Sequence, residues 1–260
     1  MPTAQHRLLA RAVTPLHEAV APQRSEGTDR QLALVLSFVA GAVNAGALVA
    51  VGQYTSHMSG IVSALADHLA IGAWLLIAGG IAALVAFTAG AAASAWLINW
   101  ARRHHGGAQY ALPLLLESAL LAGFGLAGLA FQGAHGFALA AVPLLCFIMG
   151  LQNATITKVS GARMRTTHVT GIVTDIGIEL GKFAYWNRSE LPPVLADRRK
   201  LRLLTSLLAA FFLGGVTGAL GFARLGFAAT LPLALILALY GSAPAASAAL
   251  GRAAVRRPSP

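Results

Sequence analysis

From Gln31 to Ala101 the chain carries a single formal charge, Asp67. A soluble domain carries about one charge in every four residues. No soluble fold of this size can bury so long an apolar run. The bias extends over the whole chain, where 57% of the 260 residues are hydrophobic and 11% are charged. Disorder is excluded for the opposite reason, because a disordered chain needs low hydrophobicity. The fold class that remains is all-α, a polytopic membrane protein whose helices satisfy their own backbone groups in lipid.

A crossing takes about 20 residues. Six runs are read as spans: 31–52, 73–99, 111–132, 137–156, 203–222 and the shorter 226–241. A cytoplasmic N-terminus places 18 of the 19 lysines and arginines inside and leaves only Arg224 outside, as the positive-inside rule requires. The expectation is a single membrane domain over 31–242 with both termini cytoplasmic. Residues 1–30 and 243–260 are expected to be polar cytoplasmic tails, the first lacking the apolar core of a signal peptide. The net charge of +10 is thereby assigned to membrane orientation, not to a nucleic-acid partner. The lone cysteine, Cys146, excludes an internal disulfide framework.

The chain repeats itself. GAVNA at 41–45 matches GLQNA at 150–154, and TSHMSGIVS at 55–63 matches TTHVTGIVT at 166–174. AFTAGAAASA at 86–95 then matches AFFLGGVTGA at 210–219, and LPLLLESAL at 112–120 matches LPLALILAL at 231–239. The four blocks keep their order, so each half (31–132 and 137–241) holds three spans. An odd number of spans inverts the second copy, which gives a 3+3 inverted repeat about an axis in the membrane plane. Gly90-x-x-x-Ser94 and Gly214-x-x-x-Gly218 fall at equivalent places and read as faces where helices approach closely.

The histidine motifs follow spans one and four. The segments after them, 61–70 and 172–183, are about half a bilayer core in length, with Ser59 and Thr170 at the expected N-cap positions. Three placements are open: re-entrant half-helices, full spans, or helices lying at the interface. The re-entrant placement agrees with the charge rule. It would bring two helix N-termini together near the midplane, where backbone N–H groups favour an anion. Residues expected to bind substrate are Asn44, His57, Ser59 and Gly60 in the first half, and Asn153, His168, Thr170 and Gly171 in the second. Structural readings stand beside these roles. Each histidine could hold the chain break by donating to a carbonyl, and each asparagine could tie helices together. Glu117 is the one acid within a clear span and is the candidate for a coupling proton. No thiolate or close histidine–carboxylate cluster completes a metal site. No phosphate-binding glycine loop, HExxH or GxSxG is present, so neither an enzyme nor a cofactor is expected.

These motifs give the chain a resemblance. GAVNA with TSHMSG, and QNATI with GARMRTTHVTG, resemble the YoaK family of bacterial integral-membrane proteins of unknown function over about residues 30–242. The resemblance implies a six-span protein of the bacterial inner membrane and no particular substrate. The first motif of that family commonly has asparagine where this chain has Ile61, and the second often has tyrosine where it has His168. The functional expectation is a small-solute secondary transporter or permease, whose partners are the lipid bilayer, an unknown small molecule or ion, and a second copy in a homodimer. The alternatives are a non-transporting membrane scaffold or sensor, and a channel.

Overall fold

A computed structural model describes residues 26–104, 109–132, 136–160, 167–188 and 192–255, excepting the side chains of 26 and 244–255. Within these residues the chain is helical and has no strand. The elements are α1 (Glu26–Val51), α2 (Met58–Ala70), α3 (Trp74–His104), α4 (Ala111–Phe131), α5 (Phe137–Val159), α6 (Val169–Ala184), α7 (Arg198–Leu225), a 3-10 turn (Gly226–Ala229) and α8 (Thr230–Val255). Five stretches are long and apolar enough to cross a bilayer: Gly27–Val51, Trp74–His104, Ala111–Phe131, Phe137–Val159 and Arg198–Ala243. The fifth, at 46 residues, joins the two runs expected at 203–222 and 226–241. The 3-10 turn after Gly226 (φ 57°) breaks it into α7 and α8. Residues 26–30 already belong to α1, and α8 runs past 242 to Val255, while 1–25 and 256–260 lie outside the described residues.

Small residues decide how the long helices pair. A Cβ at Gly214 would collide with the carbonyl oxygen of Phe38, and one at Gly218 with that of Ala42; one at Gly46 would strike the Phe222 ring. The contacts rise together along both helices, so α1 and α7 run parallel. On the other side of the bundle a Cβ at Gly90 would collide with the carbonyl of Phe147, and one at Gly150 with that of Phe87. One turn on from Gly90, Ser94 Oγ lies 2.8 Å from Thr155 Oγ1. Helices α3 and α5 therefore also run parallel. The repeated blocks equate Gly41 with Gly150, Phe38 with Phe147, Phe87 with Phe211 and Gly90 with Gly214. Gly41 faces the Phe211 carbonyl just as Gly150 faces that of Phe87. Thus α1 packs on α7 as α5 packs on α3.

The third long pair, α4 and α8, is antiparallel. The Ser118 hydroxyl donates to the Ala234 carbonyl at 2.7 Å, and a Cβ at Gly128 would enter the Phe227 ring. Phe227, in the 3-10 turn, sits between Phe124 at 5.4 Å, Phe137 at 5.3 Å and Phe222 at 6.2 Å, so the break is packed into the core. Leu32, Leu36, Val39 and Val43 give α1 a wholly buried stripe at helical spacing. By contrast α3 exposes Trp74, Leu75, Ile81, Val85 and Trp96, apolar surface that suits lipid.

The short helices are set by what precedes them. Helix α1 ends at Val51, but Asn44, two turns before that end, accepts three hydrogen bonds at Oδ1. They come from the backbone N–H of Thr55 (3.2 Å) and of Ser56 (3.1 Å) and from the Ser56 hydroxyl (2.9 Å). The chain after α1 therefore turns back into the bundle before α2 begins. The second half does the same, where the Thr167 hydroxyl donates to Asn153 Oδ1 at 2.9 Å. With 13 and 16 residues, α2 and α6 extend only about 20 to 24 Å, short of the roughly 30 Å of a bilayer core.

Candidate functional site

The first residues of α2 and α6 meet at one cavity of about 1240 Å³. Six of the eight residues expected to bind substrate line it: Asn44, His57, Ser59, Asn153, His168 and Thr170. Gly60 and Gly171 do not. Gly171 makes room for the His168 ring, whereas Gly60 leaves only an ordinary contact to His57. A Cβ at Gly171 would collide with His168 Nδ1, and one at Gly60 would lie 3.4 Å from His57 Nδ1.

The histidines, not Ser59 and Thr170, are the N-cap residues, each cap falling two residues earlier than expected. His57 has φ −92° and ψ 69°, and His168 has φ −82° and ψ 53°. Each carbonyl accepts the first helical bond, from Ile61 at 3.1 Å and from Ile172 at 3.0 Å. Neither side chain caps its helix, so the first-turn N–H groups at both ends are not satisfied by their N-cap residues. Holding the chain breaks falls to the asparagines. Oδ1 of Asn44 is filled by the loop, and Nδ2 of Asn153 donates to the Met149 carbonyl at 2.9 Å. These bonds of both asparagines run to the following loop or to their own helix, not across to a second helix as the tie between helices would require.

Glu117 stands apart from the cavity. It is wholly buried on α4, with Oε1 accepting from Gln152 Nε2 at 2.7 Å and Oε2 without a partner among the described residues. Its link to the site is through the chain, since Gln152 precedes Asn153.

Phe87, Phe211 and Lys158 also line the cavity. The two phenylalanines are repeat equivalents in blocks whose small-residue pattern points to helix packing. Lys158 lies in the last turn of α5, where a lysine also satisfies the orientation rule. No aspartate or glutamate among the described residues lines the cavity. Among the described residues no group of three or more histidine, cysteine or acidic side chains is placed to hold a metal ion.

Beyond the cavity the far end of α6 is tied to the start of α7. Glu179 accepts the Asp197 backbone N–H at 2.8 Å and the Lys182 ammonium at 2.9 Å. Lys200 lies 3.4 Å from Asp175 and 3.9 Å from Glu179. The Asp197 N–H, followed by Lys182, holds the Glu179 carboxyl below its ordinary range. Asp197 in turn caps α7, accepting the N–H groups of Arg199 and Lys200 at 2.9 Å.

A family model described as a protein of unknown function, DUF1275, matches residues 32–243; the YoaK family falls within it. No curated protein and no solved structure matches the chain.

Proposed function

The chain belongs to the DUF1275 family, and on that premise we propose that it is a small-solute secondary transporter of the bacterial inner membrane. In this reading α1, α3, α4, α5, α7 and α8 are six crossings, with both termini cytoplasmic. They form two inverted halves, and α2 and α6 are half-helices that enter from opposite faces. Solute binds at the cavity between the half-helix N-termini and is exposed to each side in turn as the halves rock. Asn44 and Asn153 fix the chain breaks. His57, Ser59, His168 and Thr170 face the solute, while Gly171 lets the His168 ring lie back on its helix. Glu117 holds the coupling proton.

The observation that carries this reading is the meeting of two repeat-equivalent chain breaks at a single cavity. Broken helices whose ends converge where inverted halves meet are how many secondary transporters build a solute site. Irregular backbone at that depth is tolerated where it lines a cavity.

The test is thiol labelling in oriented vesicles. Cys146 is fully buried and gives little background, so Ser59→Cys and Thr170→Cys can be read directly. A transporter shows Ser59→Cys reacting with an impermeant reagent added outside and Thr170→Cys with reagent added inside. Two unreactive cysteines would instead assign the repeats to packing in a scaffold or sensor.

A further inference from the structure

We propose that the solute taken by this cavity is an organic anion, with a carboxylate or similar head and an apolar body, and that Lys158 selects its charge. The inference rests on the assignment of the cavity as the solute site and deepens it.

The lining supplies a positive charge and, among the described residues, no carboxylate to match it. Lys158 is exposed on the cavity wall and forms no ion pair among the described residues. The acids that could have neutralised it are engaged elsewhere: Glu117 faces Gln152, and Asp175 and Glu179 are held by Lys200 and Lys182. The Asn44 side chain uses Oδ1 for the loop, which leaves its Nδ2 donor without a partner among the described residues. The first turns of α2 and α6 add N–H groups that their N-cap side chains do not satisfy. An unpaired ammonium, a free amide donor and two uncapped helix starts around one cavity favour negative charge.

The rest of the wall argues against a small inorganic ion. Phe87, Phe211 and Met58 line the same space. A strongly hydrated sulfate or phosphate would exchange water for aromatic carbon there, at a large desolvation cost. A cavity of about 1240 Å³ also exceeds what a bare ion needs and fits an organic body with some water. Lys158 breaks the repeat, because the matched position in the first half is Val49. Charge selection is therefore carried by one half of the protein, and the apolar contact by both.

The experiment uses the full-length protein in detergent with five probes: benzoate, benzylamine, benzamide, chloride and sulfate. Melting temperature and calorimetric affinity are read for the native protein, Lys158→Gln and Lys158→Arg. The result expected is stabilisation by benzoate and by none of the other four. Lys158→Gln weakens benzoate by about tenfold or more, and Lys158→Arg stays near native affinity and shows that the site is intact. Equal stabilisation by benzylamine or benzamide, unchanged benzoate affinity in Lys158→Gln, or no binding of any probe would each overturn the inference. The underlying assignment is scored separately by the opposite-side labelling of Ser59→Cys and Thr170→Cys. If that labelling holds while benzoate fails, the anion inference falls and the solute site stands.

Discussion

The Ser56 hydroxyl lies 2.9 Å from Asn44 Oδ1, and the Thr167 hydroxyl lies 2.9 Å from Asn153 Oδ1. The two bonds are the same bond in two copies of one unit, each joining a long helix to the residue just before a histidine. The copies are unequal, however. Asn44 also accepts the N–H groups of Thr55 and Ser56, whereas Asn153 spends its Nδ2 on its own helix.

Asn44→Ala should therefore be the more damaging of the paired substitutions. It strips the acceptor from two backbone donors and a hydroxyl, each loss costing about 1–3 kcal/mol when the group stays buried. Asn153→Ala removes the acceptor of one hydroxyl. Thermal unfolding of both variants in the same detergent checks the order, and an equal or reversed order would contradict the geometry.

The parallel helix crossings predict a division among glycines. Gly41→Ala and Gly150→Ala place a methyl group against a backbone carbonyl that cannot rotate away, and each should cost about 1–3 kcal/mol by overpacking. Gly123 and Gly79 lie in helices with nothing near the added atom. Gly123→Ala and Gly79→Ala should leave stability unchanged or raise it by up to about 1 kcal/mol through helix propensity. Comparing the four melting temperatures decides the matter.

The tie between α6 and α7 should make the protein sensitive to acid. The Glu179 carboxyl titrates below its ordinary range in the folded protein. Its contribution is therefore complete above the ordinary glutamate pKa and is lost as pH falls through the lower folded value. Melting temperature should drop between neutral pH and pH values in the acid range of carboxylates. In Glu179→Gln the protein should be less stable at neutral pH, and the drop should be shallower. Parallel pH profiles for the two proteins would refute the assignment.

Glu117 offers a test of coupling distinct from one of folding. Glu117→Gln keeps an oxygen acceptor for Gln152 but cannot release a proton. In proteoliposomes, with the passive uptake of protein-free liposomes subtracted, it should abolish the accumulation of benzoate driven by a pH gradient while leaving protein-dependent exchange intact. Accumulation at the native rate would remove Glu117 from the coupling scheme.

The helices were legible in the sequence because lipid imposes one strong rule, a long apolar run with charges at its ends. The small-residue faces at Gly90, Ser94, Gly214 and Gly218 were legible because close approach permits few residue types. The break before α8 was legible as the gap between the runs 203–222 and 226–241, but the turn lies at Gly226–Ala229, inside the second run, because Phe227 makes the turn itself apolar. What could not be read was hydrogen bonding. Ser59 and Thr170 have good N-cap side chains, but Asn44 and Asn153 pull the chain into register two residues earlier and leave His57 and His168 at the caps. The role of Lys158 was hidden for a different reason. A lysine at the end of a span satisfies the orientation rule wherever it points, so its type and position carried no sign of the cavity.

The exchange of partners between halves bears on how the protein is made. Helix α1 leaves the ribosome early, with Phe38, Ala42 and Gly46 ready for α7, and must wait until most of the chain has been synthesised. Helix α3 waits likewise for α5. During that interval narrow small-residue grooves face lipid tails or the insertion machinery. The first half on its own thus has neither of these close-packed faces covered, and assembly is a late event that closes both crossings once the second half arrives.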